Sequence, residues 1–361
     1  MKVRQFPFSL ILFASLAAGS GGLTAGDATL AEMLTRPTGP SPWRVGAGYA
    51  QLLGLDAKFT GLGTFRSAFT PQPLGGGINY DYDDGYVHLD SSNNLGDETW
   101  NWSYANTSQL DSSGTGSIDL SITNSLANGR AADDGAAEAG VELFAYYDMG
   151  AVEIPLLKDR QCAWGFRGGL QYSPINLGSN ASVATGLATT TDTFNLNGNI
   201  APLAPYTGSF GGPGPLLGDS PTRSTSTAGT GMVAGNRDLD VDLAILQFGT
   251  YLEMPVTKRL SVMVEAGLSL GIASGSYDFF SATTAPGLGT QTSAGSTSHT
   301  SVLPGIYAGI GSVYRIDDKW SVMASARYQY MDEFELSTNG SAASLSFDSA
   351  FVLSLAVVYR F

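Results

Sequence analysis

Apolar residues occupy nine of the ten alternate positions over the last nineteen residues of the chain, from Ala343 to Phe361, with Ser349 as the exception. Successive side chains of a β-strand point to opposite faces, so a repeat of two residues predicts a strand with one apolar face. Nineteen residues far exceed the length of an average strand, which is about 5–6 residues. The pattern therefore predicts one long strand. Its apolar positions are Ala343, Leu345, Phe347, Phe351, Leu353, Leu355, Val357, Tyr359 and Phe361.

Seven earlier segments show the same alternation. They start at Trp43, Val141, Trp164, Leu239, Leu260, Val302 and Trp320. In the segment that starts at Leu239, the apolar positions move from odd to even numbers between Ile245 and Leu246. One extra residue in a strand would produce this shift, which predicts a β-bulge at that point.

The connections between these segments are alternately short and long. Short polar connections lie at 156–161, 256–260 and 315–320, whereas the long segments are 56–138, 178–234 and 281–298. Segment 178–234 is rich in Gly, Pro, Ser and Thr and has no apolar period, which predicts a mobile loop. Short turns at one end of a sheet and long loops at the other are typical of membrane β-barrels.

The predicted fold class is all-β, an antiparallel up-and-down transmembrane β-barrel of eight strands with long extracellular loops. Ten strands are the alternative if segments 85–90 and 99–106 belong to the barrel. Aromatic residues at the ends of the apolar faces indicate a membrane girdle. A secreted β-sandwich, the other reading of the repeat, would bury its dense apolar face. The girdle residues are Trp43, Trp164, Tyr314, Trp320, Tyr359 and Phe361.

The N-terminal residues have the pattern of a secretory signal peptide. Lys2 and Arg4 precede an apolar stretch from Phe6 to Ala18, which is too short to span a bilayer as a helix. These features predict export to the cell outer membrane. The expected organisation is a signal peptide at 1–25, a periplasmic segment at 26–42 and an outer-membrane β-barrel at 43–361, with extracellular loop insertions at 56–138 and 178–234.

The last residues of the final predicted strand add a more specific signal. Val357, Tyr359 and Phe361 resemble the end of bacterial outer-membrane β-barrel proteins. The pattern of long loops is similar to small barrels of the OmpA-like and OmpW-like type, although the large segment 56–138 departs from them. The resemblance implies that the last strand is an assembly signal for the barrel-assembly machinery, and that outer-membrane lipid surrounds the barrel.

Ten charged residues fall within or beside the predicted strands at positions expected to face the barrel interior. Charges in a low-dielectric interior must pair and hydrogen-bond, or each costs several kcal/mol. A packed polar network that closes the barrel satisfies this requirement, and a narrow selective path is the alternative. The ten residues are Arg44, Glu142, Asp148, Arg167, Glu253, Glu265, Arg315, Arg327, Asp348 and Arg360.

Charge and composition exclude some classes of partner and chemistry. A net charge of -14 leaves no basic stripe for nucleic acid. Two histidines and one cysteine do not suggest a zinc site, and no cofactor or catalytic group is predicted. Ser269 stands in a Gly-x-Ser-x-Gly pattern typical of a hydrolase nucleophile, but it lies within a strand pattern and not at a strand-to-helix turn. His299 and Ser301 could form a catalytic pair, but no acidic partner for His299 lies on its strand. Calcium binding to Asp81, Asp83, Asp84 and Asp90 is a hypothesis, and a tight turn with solvated aspartates is the alternative.

Three aromatic residues in segment 99–106 fall on one face. Trp100, Trp102 and Tyr104 are candidate surface contacts for a glycan or another extracellular ligand, or they pack the loop onto the barrel rim. The resulting hypothesis is a non-enzymatic barrel with a structural or surface-interaction role and a largely filled lumen. A narrow porin or transporter for small or hydrophobic solutes is the alternative, followed by an outer-membrane lipid-modifying enzyme.

Overall fold

A computed structural model describes residues 41–135, 137–153, 161–227 and 229–361. The predicted signal peptide, all but two residues of the predicted periplasmic segment, and most of the connection 156–161 lie outside the described residues. The described strands are β1 (Trp43–Leu53), β2 (Asp56–Leu62), β3 (Tyr80–Tyr82), β4 (Gly85–Val87), β5 (Glu98–Thr99), β6 (Trp102–Tyr104), β7 (Ser117–Ser125), β8 (Gly129–Asp134), β9 (Glu138–Glu153), β10 (Gln161–Ser179), β11 (Val183–Asn195), β12 (Tyr206–Thr207), β13 (Leu217–Gly218), β14 (Thr222–Ser226), β15 (Thr230–Pro255), β16 (Leu260–Ala285), β17 (Gly289–Arg315), β18 (Trp320–Met331), β19 (Phe334–Thr338), β20 (Ser341–Ser346) and β21 (Ala350–Arg360). A 3-10 turn spans Thr107–Gln109.

Eight long strands form a closed antiparallel sheet, called here the ring sheet. Their order is β10, β9, β1, β21, β18, β17, β16 and β15, and β15 pairs again with β10. The all-β antiparallel fold predicted from the alternation is confirmed. Segments 85–90 and 99–106 supply β4 and β6, which pair with each other outside the ring sheet.

The apolar face of each ring strand points outward, away from the ring. Leu268, Val302 and Leu355 are 68%, 59% and 58% exposed, while the residues beside them in sequence point inward. No described residue covers this outer surface as a second layer of sheet or helix would. The outer face is therefore an uninterrupted apolar belt of the kind that a sandwich would have buried.

The predicted β-bulge at Ile245 is wrong. The register of β15 runs without a break on both sides, from Ala244 opposite Ile272 to Leu246 opposite Leu270. What changes at this point is the surroundings of the strand. Leu243 and Ile245 point into an apolar interior, whereas Leu246 and Phe248 point outward into the apolar belt.

The final nineteen residues do not form one strand. The alternation predicted a continuous strand, but β20 ends at Ser346 and β21 begins at Ala350. The intervening turn reverses the direction of the apolar set: Leu345 and Phe347 are buried, whereas Phe351 and Leu353 lie on the outer face. A constant repeat of two residues cannot reveal such a turn, because it does not show whether an apolar face is buried in a core or exposed on the outer surface.

A second sheet of four strands closes the long-loop end of the ring. This cap sheet has the order β19, β20, β2 and β8. The β19–β20 hairpin turns through Asn339 and Gly340, both with positive φ, as a two-residue hairpin turn requires. The cap sheet shares one apolar core with the ring sheet, and the Phe59 ring stacks 5.9 Å from the Tyr277 ring.

Segment 178–234 is not an irregular loop in the structure. It contributes β11 and β14, and β11 pairs with β7 from segment 56–138. These strands, together with β3 to β6, β12 and β13, form a folded unit called here the outer body. Its apolar core includes Trp102, Ile118 and Phe194. The prediction of a mobile loop failed because Ser and Thr provide the strand residues while a few distant apolar residues provide the core.

Candidate functional site

Glycines on the inner face of the ring sheet make room for large side chains. A Cβ atom on Gly46 would overlap the ring of Phe144, and one on Gly309 would lie 2.6 Å from Cγ of Arg327. Ring strands of this number leave an interior that side chains can fill. The glycines let a few arginine and aromatic side chains occupy it.

Two arginines and two glutamates form a fully buried cluster in the middle of the ring. Arg167 lies 3.5 Å from Glu142 and 3.4 Å from Glu265. Arg327 hydrogen-bonds to Glu142 and lies 3.7 Å from Glu265. Gln247 accepts a 2.7 Å hydrogen bond from Arg167, so the cluster spans the interior from several strands.

A second cluster lies towards the short-turn end. Arg44 donates hydrogen bonds of 2.8 Å to Asp148 and 2.7 Å to Glu253. Arg360 donates one of 2.6 Å to the other oxygen of Asp148. The Tyr251 hydroxyl also hydrogen-bonds to Asp148, so this carboxylate receives donors from three strands.

Tyr146 joins the two clusters. Its hydroxyl donates a 3.2 Å hydrogen bond to Glu265, and the Arg44 guanidinium lies 5.1 Å from its ring centre. The joined set, called here the inner network, contains four arginines and four carboxylates, so its formal charges cancel. A neutral, paired arrangement avoids the large cost of isolated buried charges. Its eight charged members are Arg44, Glu142, Asp148, Arg167, Glu253, Glu265, Arg327 and Arg360.

The two remaining residues of the predicted interior set are exposed, although Arg315 lines a cleft at the short-turn end with Arg44, Glu253 and Arg360. Arg315 is the last residue of β17 and is exposed at the short-turn end. Asp348 is exposed in the turn between β20 and β21, because the strand predicted to carry it inward is interrupted there. Neither residue belongs to the inner network.

The interior changes from polar to apolar towards the long-loop end. Above the inner network, Leu243, Ile245 and Ala273 of the ring sheet pack in one core with Leu345 and Phe347 of the cap sheet. All five side chains are fully buried. Ion pairs below and an apolar core above therefore fill the interior in succession.

Two of the three candidate surface aromatics are buried. Trp102 is 0% exposed and Tyr104 2% exposed, and their stacked rings lie 5.8 Å apart inside the core of the outer body. Trp100 is partly exposed, and its indole N–H donates to the Phe210 carbonyl at 3.3 Å. The alternation put Trp102 and Tyr104 on one face, but it could not show that residues of segment 178–234 such as Tyr206 and Pro215 contact Trp102.

The carboxylates proposed for calcium accept hydrogen bonds from the protein. Asp83 accepts from the Thr123 amide at 2.7 Å, Asp84 from the Ser121 amide at 2.8 Å, and Asp90 from the Trp100 amide at 3.1 Å. Burial raises the pKa of Asp84 to about 6, and its hydrogen bond to Ser121 opposes that rise. Among the described residues, no group of three or more potential metal ligands is arranged to hold an ion.

The remaining candidate residues for chemistry lie apart. Ser269 is buried and pairs in register with Gly305, whereas His299 is exposed and pairs with Gly275. Six residues along a strand separate these positions, which corresponds to about 20 Å. His88 is 2.8 Å from Asp81 on the outer body, and its ring stacks on Tyr86.

The residues of the predicted assembly signal lie on the outer face of β21 or just after it. Phe361 and Val357 are 61% and 49% exposed. Tyr359 packs edge-on against Trp320 at 4.9 Å and against Phe361 at 5.2 Å. Trp43 and Tyr147 form a further edge-on pair at 4.9 Å, so aromatic rings border the apolar belt at the short-turn end.

Sequence reasoning missed three buried polar features. Gln247 and Gln329 face inward and hydrogen-bond to each other at 3.0 Å. The alternation could have revealed that both side chains point into the ring. Asp192 receives two 2.7 Å hydrogen bonds from Arg223 inside the outer body. Arg237 is 0% exposed, yet its Nε and Nη2 groups have no hydrogen-bond partner among the described residues. No local pattern marks the last two features because their surroundings come from distant segments.

The chain is similar to several proteins of known structure, at low sequence identity. Ail, the attachment invasion locus protein of Yersinia pestis, is 9% identical with a TM-score of 0.25, covering 88% of this chain and 97% of Ail. The outer membrane protease OmpT of Escherichia coli is 8% identical with a TM-score of 0.33, covering 90% and 99%. A Pseudomonas aeruginosa FadL homologue is 11% identical with a TM-score of 0.18, covering 88% and 90%.

These similarities assign no function to the chain. No protein-family model matches it. No curated protein sequence matches it either. No helix among the described residues is long and apolar enough to cross a membrane.

Proposed function

We propose that the protein is an integral outer-membrane β-barrel with a closed lumen, which holds a folded extracellular unit at the cell surface. The observation that carries this proposal is the pairing of an exposed apolar belt with a filled interior. Lipid is the medium in which a belt of exposed Leu, Val and aromatic residues is stable. The partners expected from the sequence remain part of the proposal: membrane lipid around the belt, and assembly machinery that reads Val357, Tyr359 and Phe361.

The filled interior supports a structural or surface-interaction role over transport. A conducting path would need a continuous route past the inner network and then past the apolar core under the cap sheet. Moving one member of a buried ion pair away from its partners would leave an uncompensated charge in the interior. The inner network is therefore expected to stay closed. We therefore expect no steady conductance from the purified, folded protein in planar bilayers. Reproducible single channels would refute the closed lumen and favour the narrow transporter.

The outer body supports a role in presenting a surface. Its apolar core and the bidentate Arg223–Asp192 pair give it a defined shape rather than that of a mobile loop. Large apolar side chains remain exposed on it, with Leu203 at 90% and Ile200 at 79%. Ordered apolar groups on a surface are typical of interaction sites.

Single cysteines test the orientation. Leu203→Cys on the outer body is expected to react with a membrane-impermeant maleimide on intact cells. Lys258→Cys, in a short turn, is expected to react only after the outer membrane is permeabilised. The native Cys162 is 0% exposed and supplies the unreactive background. Labelling of Lys258→Cys but not Leu203→Cys on intact cells would reverse the proposed orientation.

A further inference from the structure

Strand β17 is longer than its neighbour β18, and part of one edge is left unpaired. On one side, β17 pairs with β16 from Gly289 to Tyr314. On the other, it pairs with β18 only from Gly305 to Arg315. Between Ser296 and Val302, no backbone partner among the described residues occupies this second edge. We call this stretch the open edge.

Even-numbered residues present their backbone groups at the open edge. In an antiparallel pair, alternate residues exchange both hydrogen bonds with the partner strand, and the others point away from it. The carbonyl of Ala294 accepts a 2.8 Å hydrogen bond from the Asn339 side chain, and that of Pro304 accepts one of 3.2 Å from the Asp332 amide. These donors lie away from β16. The N–H and C=O groups of Ser296, Ser298, Thr300 and Val302 therefore point to the open edge.

The nearby strand β19 passes beneath β17 and does not fill the open edge. A Cβ atom on Gly295 would contact Thr338 at 2.8 Å, and one on Gly275 would contact the Phe334 ring at 2.8 Å. Both glycines belong to the inner face of the ring sheet, so β19 crosses under that face. The side chains of Ser296, Ser298 and Thr300 are exposed.

The open edge lacks the features that usually block strand addition. Natural edge strands carry charged residues, proline or bulges, which prevent another strand from pairing. Residues 289–303 contain no Asp, Glu, Lys or Arg, and the first proline is Pro304. Pro304 lies next to the point where pairing with β18 begins, so its missing N–H leaves the open edge intact.

We propose that the open edge binds an extended segment of a partner protein as an added antiparallel β-strand. The proposal rests on the proposed function only in placing the open edge outside the cell. Backbone hydrogen bonds would supply the affinity, as in other cases of β-strand addition. The matching segment has small or β-branched side chains, because β19 limits the space beneath the open edge, and no proline, because proline lacks the N–H that pairing requires. It is uncharged, like residues 289–303 beside which it would lie.

A second copy of this chain fits the open edge less well. Two copies in one membrane share the same orientation, so their β17 strands would run in the same direction. Strands of membrane β-barrels are tilted by about 35–45° from the membrane normal. A two-fold axis along that normal would tilt the two β17 edges in opposite directions, so they would cross at about twice that angle. An extended segment from another protein can align along the full open edge.

Amide hydrogen exchange with a synthetic peptide tests the proposal. The probe is the heptapeptide Thr-Val-Thr-Val-Thr-Val-Thr with blocked ends, added to the full protein in detergent. Saturating peptide is expected to slow exchange at least tenfold at Ser296, Ser298, Thr300 and Val302. Exchange at Thr297 and the other odd positions is expected to stay unchanged because β16 already holds them.

Two variants at one position provide the matched comparison. Ser298→Pro removes an amide from the open edge without touching the β16 ladder, and it is expected to abolish the slowing. Ser298→Ala retains that amide and is expected to behave like the parent. Thr300→Pro serves in the same way if Ser298→Pro does not fold, as judged by slow exchange at the odd positions.

The other outcomes contradict the proposal. Absence of slowing in the parent, or equal slowing in Ser298→Pro, would show that the peptide does not pair with the open edge. Slowing without peptide that increases with protein concentration would identify a second copy as the occupant. A conducting pore would refute the closed lumen and leave these exchange results unaffected, so the two failures are distinguishable.

Discussion

Arg327 on β18 hydrogen-bonds to Glu142 on β9 across the interior of the ring, although β1 and β21 separate these strands in the sheet. Both side chains are at most 1% exposed. The pair therefore connects parts of the ring that no backbone hydrogen bond joins directly.

Arg327→Met is expected to lower the free energy of unfolding by about 3–5 kcal/mol, because Glu142 and Glu265 lose a buried counter-charge. Denaturant unfolding in detergent micelles measures the change. Arg315→Met alters an exposed arginine and is the control, with an expected change within about 0.5 kcal/mol. The double variant Arg327→Met/Glu142→Gln should be more stable than Arg327→Met alone. A single-variant effect as small as that of the control would contradict the role given to the inner network.

The apolar belt predicts that the loss of stability caused by an introduced charge depends strongly on its height along a strand. Leu268→Lys places a charge in the middle of the belt and is expected to cost about 2–4 kcal/mol in phospholipid vesicles. Ser276→Lys lies on the same outer face of β16 above the belt, and it is expected to cost less than about 1 kcal/mol. Unfolding measured in vesicles compares the two variants. Equal costs would mean that lipid does not surround Leu268.

Arg237 is a buried cation for which no carboxylate partner exists among the described residues. Its one hydrogen bond goes to the Ala181 carbonyl at 2.9 Å. Arg237→Met is expected to raise the free energy of unfolding by about 1 kcal/mol, because an apolar side chain of similar length removes an uncompensated charge. Arg167→Met, at an equally buried but paired position, should lower it. A loss of stability in Arg237→Met would indicate a partner such as bound water or an anion.

The raised pKa of Asp84 predicts a dependence of stability on pH. Burial raises this pKa to about 6 in the folded protein, above the ordinary value of 3.8. The folded state therefore favours the protonated form, so its stabilising contribution is complete below about pH 4 and is lost as pH rises through about 6. Asp84→Asn keeps an oxygen for the Ser121 amide but cannot ionise.

The difference in melting temperature between Asp84→Asn and the parent isolates this contribution from those of other carboxylates. That difference is expected to become more positive between pH 4 and about pH 7 and then to level off. Melting of the outer body can be followed by tryptophan fluorescence in a background in which Trp43, Trp164 and Trp320 are replaced by Phe, so that Trp100 and Trp102 of the outer body report. A difference that is independent of pH would show that Asp84 does not titrate in this range.

The alternation of apolar residues was sufficient to predict where the ring strands lie and which faces point outward. It was wrong about their lengths, because β16 and β17 continue through most of segment 281–298, which the sequence predicts as a long connection. For example, it placed Leu268 outward and Glu265 inward without any knowledge of the surroundings. It could not distinguish lipid from a protein core, so it predicted a bulge at Ile245 where the surroundings change and a single strand through Asp348 where the chain turns. Pairing between distant segments also escaped it, which is why the outer body and the burial of Trp102 came only from the structure.

The change of surroundings along β15 has a mechanical consequence. In register across four strands, Tyr172, Ala244, Ile272 and Val302 form the top row of the apolar belt, and Pro174, Asp242, Ser274 and Thr300 form the row above it. Sinking by one row would draw a carboxylate into hydrocarbon, and rising by one row would strip large apolar side chains of lipid at about 2 kcal/mol each. In the proposed outer-membrane setting the protein is thus set at one depth, and a bilayer of unsuitable thickness is expected to deform around it rather than let it shift.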